Sequence, residues 1–135
     1  MNSVLIDTNV LIYALDSNSI YYHQSIKILM NNDLELYVTT KNISEYFSVC
    51  SKLKIDETII WKFYEELKLN TILLFPDNKS IYLLEHLLKK YKPTGNRIYD
   101  LEIFSIMISH GIEEIATFNL DGFKNITEIK IYNHN

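Results

Sequence analysis

The sequence predicts an α/β protein with a largely parallel sheet of about five short strands, and three observations carry that prediction. Val4-Leu5-Ile6 is apolar without alternation, which suits a strand covered on both faces. Further short apolar runs recur at Leu34–Thr39, Thr71–Phe75, Glu114–Phe118 and Glu128–Tyr132. Segments with helical spacing separate these runs throughout, and strands joined by helical crossovers pair in parallel. At 135 residues the chain is expected to form a single domain, 1–135, long enough to bury a core and too short for two.

In order, the first strand ends at Asp7, followed by Thr8 and Asn9, whose short polar side chains suit the turn into a helix begun by Val10-Leu11-Ile12. Parallel sheets place their ligands at the carboxyl ends of the strands, and Asp7 falls there. Read alone it is a turn or capping acid, and it gains weight only if other acids converge on it. Tyr22, Ile26, Leu29 and Met30 recur at helical spacing, with His23 toward water. After the second strand, Thr39, Thr40 or Asn42 can cap a helix with apolar rows Ile43-Phe47-Cys50 and Tyr46-Val49-Leu53. Glu45 lies at the margin of the second row.

Asp56 is expected to cap a helix that turns Ile59, Ile60, Phe63, Tyr64 and Leu67 inward and leaves Trp61 at a surface or subunit contact. The third strand, Thr71–Phe75, stops at Pro76. Asp77 or Asn78 then starts a helix with Ile81, Leu84, Leu87, Leu88 and Tyr91 inward; Lys89, Lys90 and Lys92 in its last turn suit the helix dipole. The loop Pro93-Thr94-Gly95-Asn96 leads through Arg97, the only arginine, into a helix from about Ile98 to His110, closed by Gly111 as a left-handed cap.

Composition narrows the function classes. With 47% hydrophobic and 22% charged residues, three glycines, two prolines and no internal repeat, this is an ordinary globule. Met1-Asn2-Ser3 does not open a signal peptide, and no apolar run approaches the roughly 20 residues that span a bilayer, so no membrane role is expected. A single cysteine, Cys50, cannot form an internal disulfide and fits a reducing, cytoplasmic setting. The net charge of -4 argues against a protein that holds nucleic acid by a broad basic surface. It leaves room for a nuclease whose acids surround a cation.

The strongest anomaly is Asp100, a carboxylate sharing a helix face with Phe104 and Met107, with Ile103 nearby. An unpartnered buried carboxylate costs several kcal/mol, so something must compensate it. Its place in the first helical turn is one compensation. A cation shared with Asp7 and Glu45 is the other, and hard ions such as Mg²⁺ or Mn²⁺ take this oxygen ligation.

Asp7-Thr8-Asn9, Ile43-Ser44-Glu45-Tyr46, Gly95-Asn96-Arg97-Ile98-Tyr99-Asp100 and Ala116-Thr117-Phe118-Asn119-Leu120-Asp121-Gly122-Phe123 resemble the four ordered motifs of the PIN domain, over the whole length of the chain. Within it the chain is most similar to the VapC-type toxin ribonucleases. The resemblance implies a Rossmann-like three-layer α/β/α sandwich and a Mg²⁺- or Mn²⁺-dependent endoribonuclease acting on RNA. It also implies a homodimer silenced by a small antitoxin protein. By position Asp7, Glu45 and Asp100 correspond to the core acids, both catalytic and metal-holding. The fourth position departs, with Asn119 where many members carry Asp and Asp121 two residues on; either can be a further metal ligand.

No Ser–His or Cys–His arrangement presents itself; His86, His110 and Cys50 read as structural, so the nucleophile is expected to be water. Thr8, Asn9 and Thr117 can hold the carboxylates by hydrogen bonds. Arg97 can grip a substrate phosphate or an antitoxin group, or remain a solvent-exposed loop arginine. A phosphotransfer receiver would need an acceptor Asp ending the third strand and a Lys ending the fifth, and Phe75-Pro76-Asp77 and Tyr132-Asn133 do not supply them. A dehalogenase-type phosphatase would need Asp-x-Asp, which Thr8-Asn9 breaks. The serious rival is a degenerate PIN module that binds RNA or a protein partner without cutting.

Overall fold

The computed structural model describes residues 1–133. The chain runs β1 (Asn2–Ile6), α1 (Thr8–Tyr13), α2 (Tyr22–Leu29), β2 (Leu34–Thr39), α3 (Thr40–Lys52), α4 (Glu57–Asn70), β3 (Ile72–Leu74), α5 (Asn78–Tyr91), α6 (Arg97–Ser109), β4 (Glu114–Ala116), a 3-10 turn at Leu120–Gly122, and β5 (Lys130–Ile131). The strands form one sheet in the order β3-β2-β1-β4-β5, and every neighbouring pair is parallel.

Burial explains why the first strand does not alternate. Val4 and Ile6 pack into one core with Val10, Leu11, Ile28, Tyr46, Cys50, Ile60 and Leu67, from α1 to α4. Leu5 points the other way, into a second core with Leu87, Phe104, Met107 and Ile115, under α5 and α6. Two apolar faces on one strand require two helical layers, and the result is the three-layer α/β/α sandwich. The Tyr46 hydroxyl donates to the Ile60 carbonyl at 2.7 Å, satisfying the one polar atom that this buried ring carries into the first core.

Side-chain caps fix several helix starts. Thr39 and Asn42 close a reciprocal capping box on α3, Asp56 accepts from the Thr58 amide at α4, and Asp77 and Ser80 form a second box at α5. At the first helix the capping reading of Asp7 holds, in place of Thr8 or Asn9. Asp7 itself is the cap, accepting from the Thr8 amide, because the chain turns helical immediately after β1. Gly111, at φ +79°, closes the end of α6 as expected.

Some apolar residues expected inside lie outside. Ile59 and Ile81 are about half exposed, because α4 and α5 bury only a narrow row, Ile60 with Leu67 and Ser80 with Leu87; Leu53, at the cap that ends α3, is exposed as well. Trp61 is half exposed as expected, yet its ring packs on Phe47 (4.9 Å between centroids) and Tyr64 (5.8 Å). Strands β3, β4 and β5 are shorter than the apolar runs suggested: they span only Ile72–Leu74, Glu114–Ala116 and Lys130–Ile131. Among the described residues no helix is long and apolar enough to cross a membrane.

Candidate active site

Chain direction across the sheet reverses between β1 and β4. From β1 the chain moves outward to β2 and β3, and later returns to β1's other flank. Beyond the carboxyl ends of such a pair the flanking crossovers diverge and leave a crevice. Ile6 pairs with Ala116, so the next residues, Asp7 and Thr117, stand side by side there. The Asp7 amide donates to the Ala116 carbonyl at 3.0 Å.

The Asp7 carboxylate is held by neutral donors. One oxygen accepts from the Thr8 amide at 2.8 Å; the other accepts from the Thr117 hydroxyl at 2.8 Å and the Asn9 side-chain amide at 3.2 Å. Asn9 also bonds the Thr117 hydroxyl at 3.1 Å and accepts from the Phe118 amide at 3.2 Å, tying the first motif to the last. Burial pushes the Asp7 carboxyl up to about 6. The Thr117 and Thr8 bonds oppose that rise, and the charge of Asp100 adds to it.

Glu45 reaches the same crevice from α3, where the Thr8 hydroxyl donates to its Oε1 at 3.2 Å. Behind it stands Asn42, fully buried, whose side-chain amide donates to the Thr8 hydroxyl at 3.1 Å while its oxygen accepts from Thr39. The Glu45 carboxyl is also raised: burial leads, the Thr8 bond opposes it, Asp7 and Asp100 add to it, and Lys41 lowers it. Asp100, in the first turn of α6, is raised by burial and lowered by Arg97. The charge of Asp100 therefore reaches both Asp7 and Glu45, and that of Asp7 reaches Glu45.

The fourth motif behaves differently. Asp121 is 95% exposed and stands 3.7 Å from Lys124, outside the crevice. Asn119 is exposed and packs over the backbone of Gly122, where an added Cβ would stand 2.7 Å from its side-chain nitrogen. Arg97 donates to the Gly122 carbonyl at 2.8 Å, so it braces this turn against α6. Its guanidinium is thereby engaged by the protein.

Two residues escaped sequence reasoning. Asn42 was legible only as a cap, yet it orients Thr8 toward Glu45. Lys41 stands one helical turn before Glu45, and its ammonium lies 4.0 Å from the centroid of the Tyr99 ring. The i to i+4 spacing of Lys41 and Glu45 was the available signal.

The donor chemistry fits a hard divalent cation. Three carboxylates are raised by burial, and the described hydrogen-bond partners of Asp7 carry no positive charge to offset its own. Among the described residues no group of three His, Cys, Asp or Glu side chains stands close enough to hold a metal ion. The mutual charge effects carry more weight here, because Mg²⁺ typically keeps several waters and takes only one or two carboxylates directly.

Known proteins bear on the family and the fold. No curated protein matches the chain by sequence. Among solved structures, VapBC2 from Rickettsia felis bound to a promoter DNA fragment is similar at 22% identity over 97% of this chain and 98% of that one, with a TM-score of 0.74. DNA-bound VapBC from Salmonella typhimurium is similar at 19% identity over 100% of both chains, TM-score 0.73. VapC20 from Mycobacterium tuberculosis, a sarcin-ricin loop cleaving toxin, is similar at 11% identity over 94% of this chain and 98% of that one, TM-score 0.69. These likenesses show the fold, and the PIN domain profile matches residues 4–129, nearly the whole chain. With that match and the ordered acids at the sheet's carboxyl edge, the chain belongs to the PIN domain family.

Proposed function

We propose that the protein is a Mg²⁺- or Mn²⁺-dependent endoribonuclease, the toxin of a toxin–antitoxin pair. The observation that carries this reading is the grouping of Asp7, Glu45 and Asp100 at the carboxyl edge of the sheet, where burial raises all three carboxyl groups and the charge of Asp100 adds to the rise of both Asp7 and Glu45. Asp7, Glu45 and Asp100 would hold the ion, one or two of them directly and the rest through its waters. When bound, it supplies charge neutralisation at the phosphoryl oxygens and acidifies a water.

The chain's own residues do the remaining work. Thr8, Asn9 and Thr117 fix the carboxylate oxygens of Asp7 and Glu45, so that these do not rotate as substrate enters. Glu45 and Asp100, whose carboxyl groups burial raises, are suited to orient a water and to accept its proton. Lys41, packed over Tyr99 at the rim, presents a cation to an incoming phosphate.

A small protein antitoxin and a second copy of the chain are the proposed partners. The similar VapBC structures support the first. For the second, edge strand β3 and the start of α5 leave Ile72, Phe75, Ile81 and Tyr82 exposed, a grouping that solvent alone does not favour. Light scattering at micromolar concentration reads the dimer directly.

The rival reading, an RNA- or protein-binding module without catalysis, draws on one observation, that Asp121, the acid of the fourth motif, is exposed beside Lys124. Induced expression of the wild type beside Asp7→Asn decides between them. Growth arrest and RNA cleavage by the wild type alone support the nuclease. Intact RNA with both, from folded protein, supports the module.

A further inference from the structure

Beside the acidic crevice lies a cavity of about 410 Å³, lined by Tyr21, Gln24, Thr117, Phe118, Leu120 and Tyr132 among others. Its aromatic wall is built in depth. Tyr21 stacks on Phe118 with centroids 4.6 Å apart and planes 19° apart, and Tyr13 braces both rings at 5.0 and 5.8 Å. Rings held from behind lose little freedom when a further flat group arrives, so such a wall is preorganised for stacking.

The cavity joins the crevice through one side chain. Thr117 lines it, and the Thr117 hydroxyl donates to the Asp7 carboxylate at 2.8 Å. Anything seated against Tyr21 is therefore next to the acid on which cleavage is proposed to depend. Gln24, exposed on α2, offers an amide that both donates and accepts, as the edge of a nucleobase requires. Leu120, 53% exposed, gives the cavity an apolar rim on its other side.

Charge selects the occupant further. A chain of net charge -4 with an acidic crevice gains little from phosphate attraction alone, so an RNA strand needs a source of affinity that does not depend on charge. Stacking on aromatic rings is such a source, and it works only on bases that are not paired in a helix.

We infer that this cavity is a nucleobase subsite, which takes one unpaired base of single-stranded RNA beside the scissile phosphate, stacked against Tyr21 and contacted by Gln24. The inference rests on the nuclease reading above and adds to it the place where one base of the strand is held.

The test uses a short single-stranded oligoribonucleotide carrying 2-aminopurine at each position in turn. Binding is measured in an Asp7→Asn background, and cleavage is measured separately with the Asp7 protein and Mn²⁺. One register of the probe should change its emission on binding, and Tyr21→Ala should abolish that change and raise Kd about tenfold. Tyr21→Phe should restore both, while Gln24→Ala should raise Kd by a smaller factor. If the protein cleaves RNA but no register responds, or neither substitution moves Kd, the subsite is overturned and the nuclease stands. A cavity reserved for a protein side chain gives that same result. If the Asp7 protein neither binds nor cleaves RNA, both readings fall. Should Tyr21→Ala not fold, the register dependence of the probe and Gln24→Ala decide alone.

Discussion

Two carboxylates at opposite ends of the sheet meet opposite surroundings. Asp7 follows the carboxyl end of β1 and is met only by neutral donors and by the charge of another acid, and its carboxyl rises to about 6. Glu128 precedes β5, where the Lys90 ammonium stands 2.7 Å away and the Tyr91 hydroxyl donates to its other oxygen. Burial alone would raise Glu128 too, but the Lys90 and Tyr91 bonds and its own backbone amide outweigh it and hold the group at about 2. A group kept for stability is given its counter-charge by the chain. A group kept for chemistry is left in need of one, and that difference marks the site more clearly than the acid's presence does.

Exchanging the charges should separate the two ends sharply. Asp7→Asn, Glu45→Gln and Asp100→Asn are each expected to lower RNA cleavage by on the order of a thousandfold or more, as loss of groups acting directly on the reacting centre does. Glu128→Gln should leave cleavage within about twofold and instead destabilise the fold by roughly 1 kcal/mol, since the clasp is partly exposed. Cleavage assays and urea melts on the four variants read both effects. A dead Glu128→Gln that is folded would erase the distinction.

Acid should act on the two ends in opposite senses. Asp7 has a folded pKa of about 6, above its ordinary 3.8, so the unfolded chain ionises first as pH rises. Without metal, the destabilisation is absent below about 3.8, grows through that window and is complete above about 6, reaching up to about 3 kcal/mol. Glu128 has the reverse sign: its contribution is present above the ordinary 4.5 and is lost as pH falls from there toward 2. Lowering pH from 7 to 4.5 in metal-free buffer should therefore raise the melting temperature of the wild type. Asp7→Asn should lose most of that rise, and a wild type that is flat over this range would contradict the raised Asp7.

The fourth motif should respond least. Asp121→Asn is expected to change cleavage by less than about twofold, because that side chain faces solvent beside Lys124. Asn119→Asp should be tolerated and should tighten Mn²⁺ binding by a few fold, since it adds a negative charge next to Thr117. If Asp121→Asn is as inactive as Asp7→Asn while folded, Asp121 turns inward during the reaction and the exposed position is a resting one.

Sequence and structure part company along the same line. The acid edge was legible because each acid breaks an apolar pattern: Asp7 ends an uninterrupted strand, and Asp100 interrupts the face of a helix that buries Leu101, Ile103, Phe104 and Met107. Its supports were legible only as residue types. Thr8, Asn9 and Thr117 carry hydroxyls and amides that suit many turns, and their bonds to the acids depend on the β1–β4 register. Asn42 and Lys41 escaped because nothing in the helical pattern of α3 says that its first turn abuts Thr8 and Tyr99. The Lys90–Glu128 clasp escaped for a related reason. The lysines at the end of α5 were fully explained by the helix dipole, and their partner lies 38 residues away in sequence. Local spacing does not carry a contact of that range.

Calorimetric titration with Mn²⁺ at neutral pH, on the wild type, Asp7→Asn and Glu128→Gln, tests the central claim most directly, because it reads the metal site without any assumption about the RNA. The account predicts that the wild type and Glu128→Gln bind with similar affinity and that Asp7→Asn, folded, shows binding weakened by at least about tenfold. Equal binding by Asp7→Asn and the wild type, or no binding by a folded wild type at millimolar Mn²⁺, would contradict it.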